Sequence, residues 1–173
     1  TLMCCHQPMQ CTTENLTTVN LMKAFAGESM ARNKYQYFAE LAQQEGYHAI
    51  ARHFHEAADN ERYHALAHYK MYNKLLYGEE NFSTHHNLET AMSGENYEYT
   101  TMYPSFAEIA KSEGLTEIAR LFTAIGKVEA EHEREYEVLK KLLEEEGFFN
   151  SENEELWVCE VCGHIHRGKK APH

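Results

Sequence analysis

The sequence predicts an all-α protein: a four-helix bundle with a long middle crossover, followed by a short tail of different composition. Three observations carry this. Apolar residues recur at helical spacing through four long stretches. Of 27 acidic residues only Asp59 is an aspartate, and glutamate is the better helix former of the two. Proline, which breaks helices, occurs only at positions 8, 104 and 172.

The first helix is predicted over about 19–44, with Leu21, Ala24, Phe25, Tyr35, Phe38 and Ala42 on one stripe. The link EGY leads to a second helix over about 47–77, carrying Ile50, Phe54, Ala57, Met71 and Leu75. The polar loop GEENFSTHHN follows, and the third helix runs over about 88–112. The link EGL joins it to a fourth over about 116–146, with Ile118, Leu121, Phe122, Ile125, Tyr136, Leu139 and Leu143. Short links make antiparallel neighbours, and the longer middle loop can cross a bundle. The chain therefore divides into a Cys-rich tail (1–15), the helical bundle (16–147), an acidic linker (148–156) and a cysteine-bearing tail (157–173).

The 173 residues suit one domain with a small appendage. The net charge of −11 argues against a nucleic-acid partner and against a polybasic membrane-surface protein. No apolar run approaches the ~20 residues of a membrane span. The first residues lack both a basic cluster and an apolar stretch, so no signal peptide is expected. Cys4, Cys5 and Cys11 cluster at the start and Cys159 and Cys162 at the end, a poor disulfide framework that suits a reducing cytoplasm. Cys4, Cys5 and Cys11 read as free thiols in a loose tail.

An internal repeat supports this division. EGYHAIARHF at 45–54 matches EGLTEIARLF at 113–122, an offset of 68 residues. The same offset relates Tyr35 to Tyr103, Phe38 to Phe106, Glu61 to Glu129 and His64 to His132. Ala26-Gly27-Glu28, however, matches Ser93-Gly94-Glu95 at an offset of 67. The third helix thus carries one extra residue between Glu95 and Tyr103. An inserted residue within a helix predicts a π-type turn there, and none between Glu28 and Tyr35.

Polar residues in phase with an apolar stripe demand an explanation, because an unpaired buried charge is costly. Glu61 and His64 stand i, i+3 on the second helix, and Glu129 and His132 repeat them on the fourth. Glu28 and Glu95 lie in the stripes of the first and third. A single Glu-x-x-His is usually a solvated pair, but here both pairs fall 16 residues after a matching Glu-Gly, Glu45-Gly46 and Glu113-Gly114. One Glu from each of two helices, with Glu-x-x-His from each of the others, is an established dimetal carboxylate ligand set of bundle cores. Carboxylate and imidazole together suit iron or manganese better than a soft metal.

Glu98 is a seventh candidate. It reads either as a solvated glutamate or as an extra carboxylate re-aimed by the inserted residue, and the insertion favours the second. Tyr35 and Tyr103 read as core residues or as phenols that hydrogen-bond ligand carboxylates. His55-Glu56 lacks the second histidine of a zincin motif. His53, His55, His68, His85 and His86 read as surface or loop residues. Cys159-x-x-Cys162-Gly is half of a four-thiolate iron or zinc site. Such a centre would close only if a second cysteine pair were supplied.

These residues resemble the rubrerythrin family. FAGES around Glu28, the EGY–IARHF hairpin, NERYHA around Glu61 and His64, GENYEYTTMYPSFAEIAKSEG across the third helix, and EAEHE around Glu129 and His132 all fit its pattern. The likeness covers about residues 16–172, and WVCEVCGHIHRGKKAP is similar to the start of the family's rubredoxin domain. The family's second, CPxC-type knuckle does not appear in this sequence. The resemblance implies a ferritin-like bundle, a homodimer or larger homo-oligomer, with two iron ions that reduce hydrogen peroxide to water. It implies Glu61 and Glu129 as bridging ligands, Glu28 and Glu95 as terminal ones, and His132 as a constant ligand. It further implies that His64 and Glu98 exchange on the other iron between the reduced and oxidised states, with electrons from a rubredoxin-type donor. Two other functions fit the same scaffold: a di-iron oxidase or ferroxidase acting on dioxygen, and a non-enzymatic iron-binding or storage protein. Glu98 and the cysteine tail favour the peroxidase.

Overall fold

The computed structural model describes residues 3–4, 7–8, 16–78, 83–145 and 147–172. The chain forms two compact units, residues 1–82 and 83–173. The first begins with a short antiparallel pair, β1 (Met3–Cys4) and β2 (Gln7–Pro8). Cys5 and Cys11 lie outside the described residues.

The body of the first unit is a hairpin of two long helices, α1 (Leu16–Gln44) and α2 (His48–Tyr77), packed along their length. Its turn is dictated by Gly46, at φ +86°. The Gly46 N–H donates to the Gln43 carbonyl (3.2 Å) and the Tyr47 N–H to the Ala42 carbonyl (2.8 Å), the Schellman arrangement that satisfies the last carbonyls of α1. The EGL link repeats it. Gly114 has φ +78°, its N–H donates to Lys111 (3.1 Å), and the Leu115 N–H donates to Ala110 (2.8 Å). A Cβ at this dihedral costs roughly 1–2 kcal/mol. Gly114→Ala should therefore lower the melting temperature by about 2–8 °C in a chain of this size. A thermal melt unchanged from wild type would contradict the cap.

The second unit contains α3 (Thr84–Tyr97), a π-turn (Glu98–Met102), α4 (Tyr103–Ser112) and α5 (Thr116–Glu144). The predicted insertion is thus a π-turn, whose wide ring closes with the Tyr103 N–H donating to the Glu98 carbonyl. The first hairpin has no such break, since α1 is unbroken α-helix from Glu28 to Tyr35. Pro104 falls in the first turn of α4, where the missing N–H is tolerated after a disturbed ladder. The Ser83 hydroxyl caps α3 by accepting from the His86 N–H (3.2 Å), starting the helix a turn before the predicted Leu88.

The seams inside the hairpins are made of alanine. Ala39, Ala42, Ala51, Ala58 and Ala65 are buried in the first, and Ala107, Ala110 and Ala119 in the second. The larger residues of the predicted stripes flank these seams, and Ile50, Met71, Leu75, Ile118 and Leu121 are exposed. A two-helix seam brings backbones close only where side chains are small, so bulky ones are turned to its edges. The flanking rings repeat with the sequence. Tyr35 lies 6.1 Å from Phe54 and Tyr103 lies 6.1 Å from Phe122, centroid to centroid. Phe38–Phe54 and Phe106–Phe122 follow at 5.5 and 5.6 Å.

The tail departs from the sequence reading. Residues 148–156 were expected to form a linker, but β3 spans Asn150–Val158 and pairs antiparallel with β4 (Ile165–Lys170). The reason lies across the ladder, where Leu156 faces Arg167, Trp157 faces His166 and Val158 faces Ile165, so the segment is extended by pairing with a partner strand. The Trp157 indole N–H donates to the Gly168 carbonyl (2.8 Å) and ties the strands together. No helix among the described residues is long and apolar enough to cross a membrane.

Candidate metal centre

Each hairpin gathers its own ligand triad. In the first, α1 supplies Glu28 and α2 supplies Glu61 and His64. One donor atom from each lies within 4.8 Å of the others. In the second, Glu95 from α3 meets Glu129 and His132 from α5 by the same measure. The i, i+3 spacing puts each Glu–His pair on one helix face, and the Ala seam sets how closely the third carboxylate approaches.

The geometry repeats with the sequence. His64 Nδ1 lies 2.7 Å from Glu61 Oε2, and His132 Nδ1 lies 2.8 Å from Glu129 Oε2. His132 Nδ1 also lies 3.8 Å from Glu95 Oε2. Among the triad side chains the carboxylates of Glu61, Glu129 and Glu95 are only 20%, 13% and 19% exposed, whereas His64 and His132 are 57% and 43% exposed. Ligands held at about 2.0–2.2 Å from one ion stand roughly 3 Å apart. The donor spacing therefore fits a cation, and the donor set of carboxylate oxygen and imidazole nitrogen fits iron or manganese.

The electrostatics show what an ion would relieve. The Glu95 carboxyl is pushed above its ordinary pKa, first by burial, then by the charge of Glu129, with Glu98 adding to it and His132 opposing it. The Tyr103 phenol is also raised, by burial and then by the charges of Glu98, Glu129 and Glu95. It stays protonated and able to donate a hydrogen bond.

Glu98 is the first residue of the π-turn. It is close enough to act on Glu95 and Tyr103 by charge, but it is not one of the three converging donors. Tyr35 and Tyr103 take equivalent places beside Phe54 and Phe122. His53 and His55 are exposed, and His68, His85 and His86 are half-buried.

Cys159 and Cys162 are exposed free thiols in the β3–β4 connection. The Cys159 N–H donates to the His164 carbonyl (2.8 Å) and the Gly163 N–H to the Cys159 carbonyl (2.8 Å). The backbone N–H groups of Cys162 and then Val161, followed by the Cys162 side chain, hold the Cys159 thiol below its usual range. This is the environment of a thiolate ligand. No third ligand joins these two among the described residues.

Two groups escaped the sequence reading. Asn96 donates to Glu133 (3.0 Å) and to the Tyr99 hydroxyl (3.3 Å), fixing the π-turn against α5. His85 Nε2 and Lys140 both meet Glu144 Oε1, at 3.0 and 2.8 Å, holding the start of α3 to the end of α5. The contacts that join the elements, Asn96 to Glu133 and His85 to Glu144, link residues far apart in the chain, so periodicity carried no sign of them.

The rubrerythrin family model matches residues 19–140. The rubrerythrin of Porphyromonas gingivalis is 44% identical over 167 residues, 90% of this chain and 82% of the relative. Rubrerythrin-1 of Clostridium acetobutylicum is 42% identical, over 90% of this chain and 86% of its own. The rubrerythrin of Nitratidesulfovibrio vulgaris is 41% identical, over 90% and 85%. A mixed-valence nigerythrin structure aligns over 96% of this chain and 82% of that one, at 30% identity and a TM-score of 0.37. The four long helices are those of the ferritin-like class that the sequence predicted. With the family model spanning most of the chain and relatives at this identity spanning nine tenths of it, the chain belongs to the rubrerythrin family.

Proposed function

We propose that the chain is a non-haem di-iron peroxidase that reduces hydrogen peroxide to water with electrons from a rubredoxin-type donor. The observation that carries this reading is the convergence of two Glu, Glu, His triads, one in each repeat-related hairpin. Glu28, Glu61 and His64 would hold one iron and Glu95, Glu129 and His132 the other, with Glu98 as the additional carboxylate. The iron pair, when bound, supplies the two electrons that turn hydrogen peroxide and two protons into two waters.

The chain's own residues do the rest. Nδ1 of His64 and Nδ1 of His132 are each hydrogen-bonded to the Glu partner, so ligation through Nδ1 would replace that hydrogen bond with a bond to the metal. Tyr103 keeps its phenolic proton next to three carboxylates and can orient them by donating to one. Tyr35 would do the same in the first hairpin. Cys159 and Cys162 would form half of the electron-entry site, the other pair coming from a rubredoxin-type partner or another segment. A cytoplasmic homodimer or larger homo-oligomer completes the proposal.

The test is a comparison of oxidants. The reduced, iron-loaded protein mixed in stopped flow should be oxidised much faster by hydrogen peroxide than by dioxygen. Equal or faster oxidation by dioxygen would favour an oxidase instead. Glu98→Ala should slow peroxide turnover by roughly 10–100-fold, the scale on which groups supporting a metal site act, while both irons stay bound. Full activity in that variant would remove Glu98 from the mechanism and leave the triads standing.

A further inference from the structure

The repeat supplies an internal control for one face of the second hairpin. Several packing positions are alike in both copies, as with Ala39 and Ala107 or Phe54 and Phe122. From Tyr103 onward, six positions that line a single groove of about 420 Å³ between α4 and α5 differ in kind from their mates: Gln36 becomes Pro104, Gln43 becomes Lys111, His55 becomes Thr123, Ala58 becomes Gly126, Asp59 becomes Lys127 and Arg62 becomes Ala130.

Glycine at position 126 lets Tyr103 seat against α5 at the edge of the groove. A Cβ there would stand 3.1 Å from the Tyr103 Cβ. Glycine inside a helix costs about 1 kcal/mol relative to alanine, and the first hairpin carries that alanine. The floor is apolar and aromatic, formed by Ala107, Phe122 and Tyr103. Tyr99, which belongs to the π-turn that the first hairpin lacks, forms a wall and is fixed by Asn96. The volume falls in the range of small-molecule sites.

The charge is as specific as the shape. Lys111 and Lys127 are exposed and make no ion pair among the described residues. Glu108 also lines the groove, but it recurs as Glu40 and belongs to the common pattern. An adjoining concavity of about 300 Å³ shares both lysines and adds Arg120. In a chain of net charge −11, this is a local field of the opposite sign.

We propose that this groove binds a small organic anion with an apolar body, of the alkyl or aryl carboxylate class. The carboxylate pairs with Lys111 and Lys127 at the rim, and the body lies on the Gly126 floor against Phe122 and Tyr103. A concave apolar floor favours such a molecule over the acidic face of a protein, which would meet the lysines and leave the floor unfilled. The inference does not depend on the peroxidase reading.

The test uses decanoate as the probe and the whole chain, by calorimetric titration and by amide shifts in nuclear magnetic resonance. One saturable site per chain is expected, with decanol bound at least about tenfold more weakly. The variants come from the first hairpin, so each residue is one this fold accommodates. Lys111→Gln with Lys127→Asp should weaken decanoate at least about tenfold, and so should Gly126→Ala, with circular dichroism unchanged. If the double variant fails to fold, Lys127→Gln alone gives the same reading. Shifts should centre on Lys111, Thr123 and Gly126. The proposal is overturned by the lack of saturable binding up to about 1 mM, by equal affinity in the charge variant, or by equal shifts around Gln43 and Asp59.

Discussion

Glu129→Ala is expected to abolish peroxide turnover by at least about 100-fold and to leave the second triad without its metal, a loss beyond the 10–100-fold seen when mere supporting groups are removed. Glu129 is less exposed than Glu61 or Glu95, at 13%, and it acts on three neighbours at once. It lies 2.8 Å from His132 Nδ1, raises the Glu95 carboxyl and raises the Tyr103 phenol. Removing it deletes a ligand and releases the restraint on the other two. Glu61→Ala should do the same in the first hairpin, where Glu61 lies 2.7 Å from His64 Nδ1. Glu131→Ala is the control, because Glu131 is exposed and pairs only with Arg134. The measurements are iron per chain and turnover, with helicity as the check on folding. Normal iron content in Glu129→Ala would sink the assignment of the triads.

Metal loading should produce the largest change in stability. The metal-free protein holds carboxylates together with no cation between them, and the raised Glu95 carboxyl records the strain. An ion present at 1,000 times its dissociation constant stabilises by about 4 kcal/mol. For a chain of this size that is about 8–16 °C in melting temperature. The pH dependence gives a second check. A carboxyl whose folded pKa is raised contributes stability below its ordinary value of 4.5, and that contribution is lost as pH rises through the folded pKa. Metal-free Glu95→Gln should therefore melt above metal-free wild type at neutral pH, with the gap closing near pH 4, and it should respond less to iron. A melting temperature unmoved by saturating iron would argue against the triads as a metal site.

Smaller electrostatic elements run the other way and set the background. Lys140 and then His85, both hydrogen-bonded to it, hold the Glu144 carboxyl below its ordinary value of 4.5. Its contribution is present above that value and is lost as pH falls through the lowered pKa. All three side chains reach solvent, with Glu144 47%, His85 42% and Lys140 24% exposed, so the share of this cluster is that of a surface ion pair.

The helices were legible because their causes are local. Apolar spacing, the Gly46 and Gly114 caps and the scarcity of proline act within one or two turns, and the observed spans follow them closely. The π-turn was legible because an inserted residue between Glu95 and Tyr103 shifts a repeat whose two copies can be compared. The tail was misread because its strands depend on partners. NSENEEL has no apolar alternation of its own, and it is extended because HRGKK lies beside it.

The sequence by itself determined which residues share a helix face: Glu61 with His64, Glu129 with His132, and Glu28 and Glu95 each in phase with a stripe. That information is carried by spacing, which backbone hydrogen bonds convert directly into direction. Only the tertiary structure decided which faces meet and how closely. The Ala39, Ala51 and Ala58 seam and the Ala107, Ala110 and Ala119 seam let the helices approach until three donors fall within 4.8 Å. The same approach leaves Gly126 under Tyr103 and opens the groove beside it. Distances between helices depend on the volumes of residues far apart in the chain, and no periodicity within a single helix encodes them.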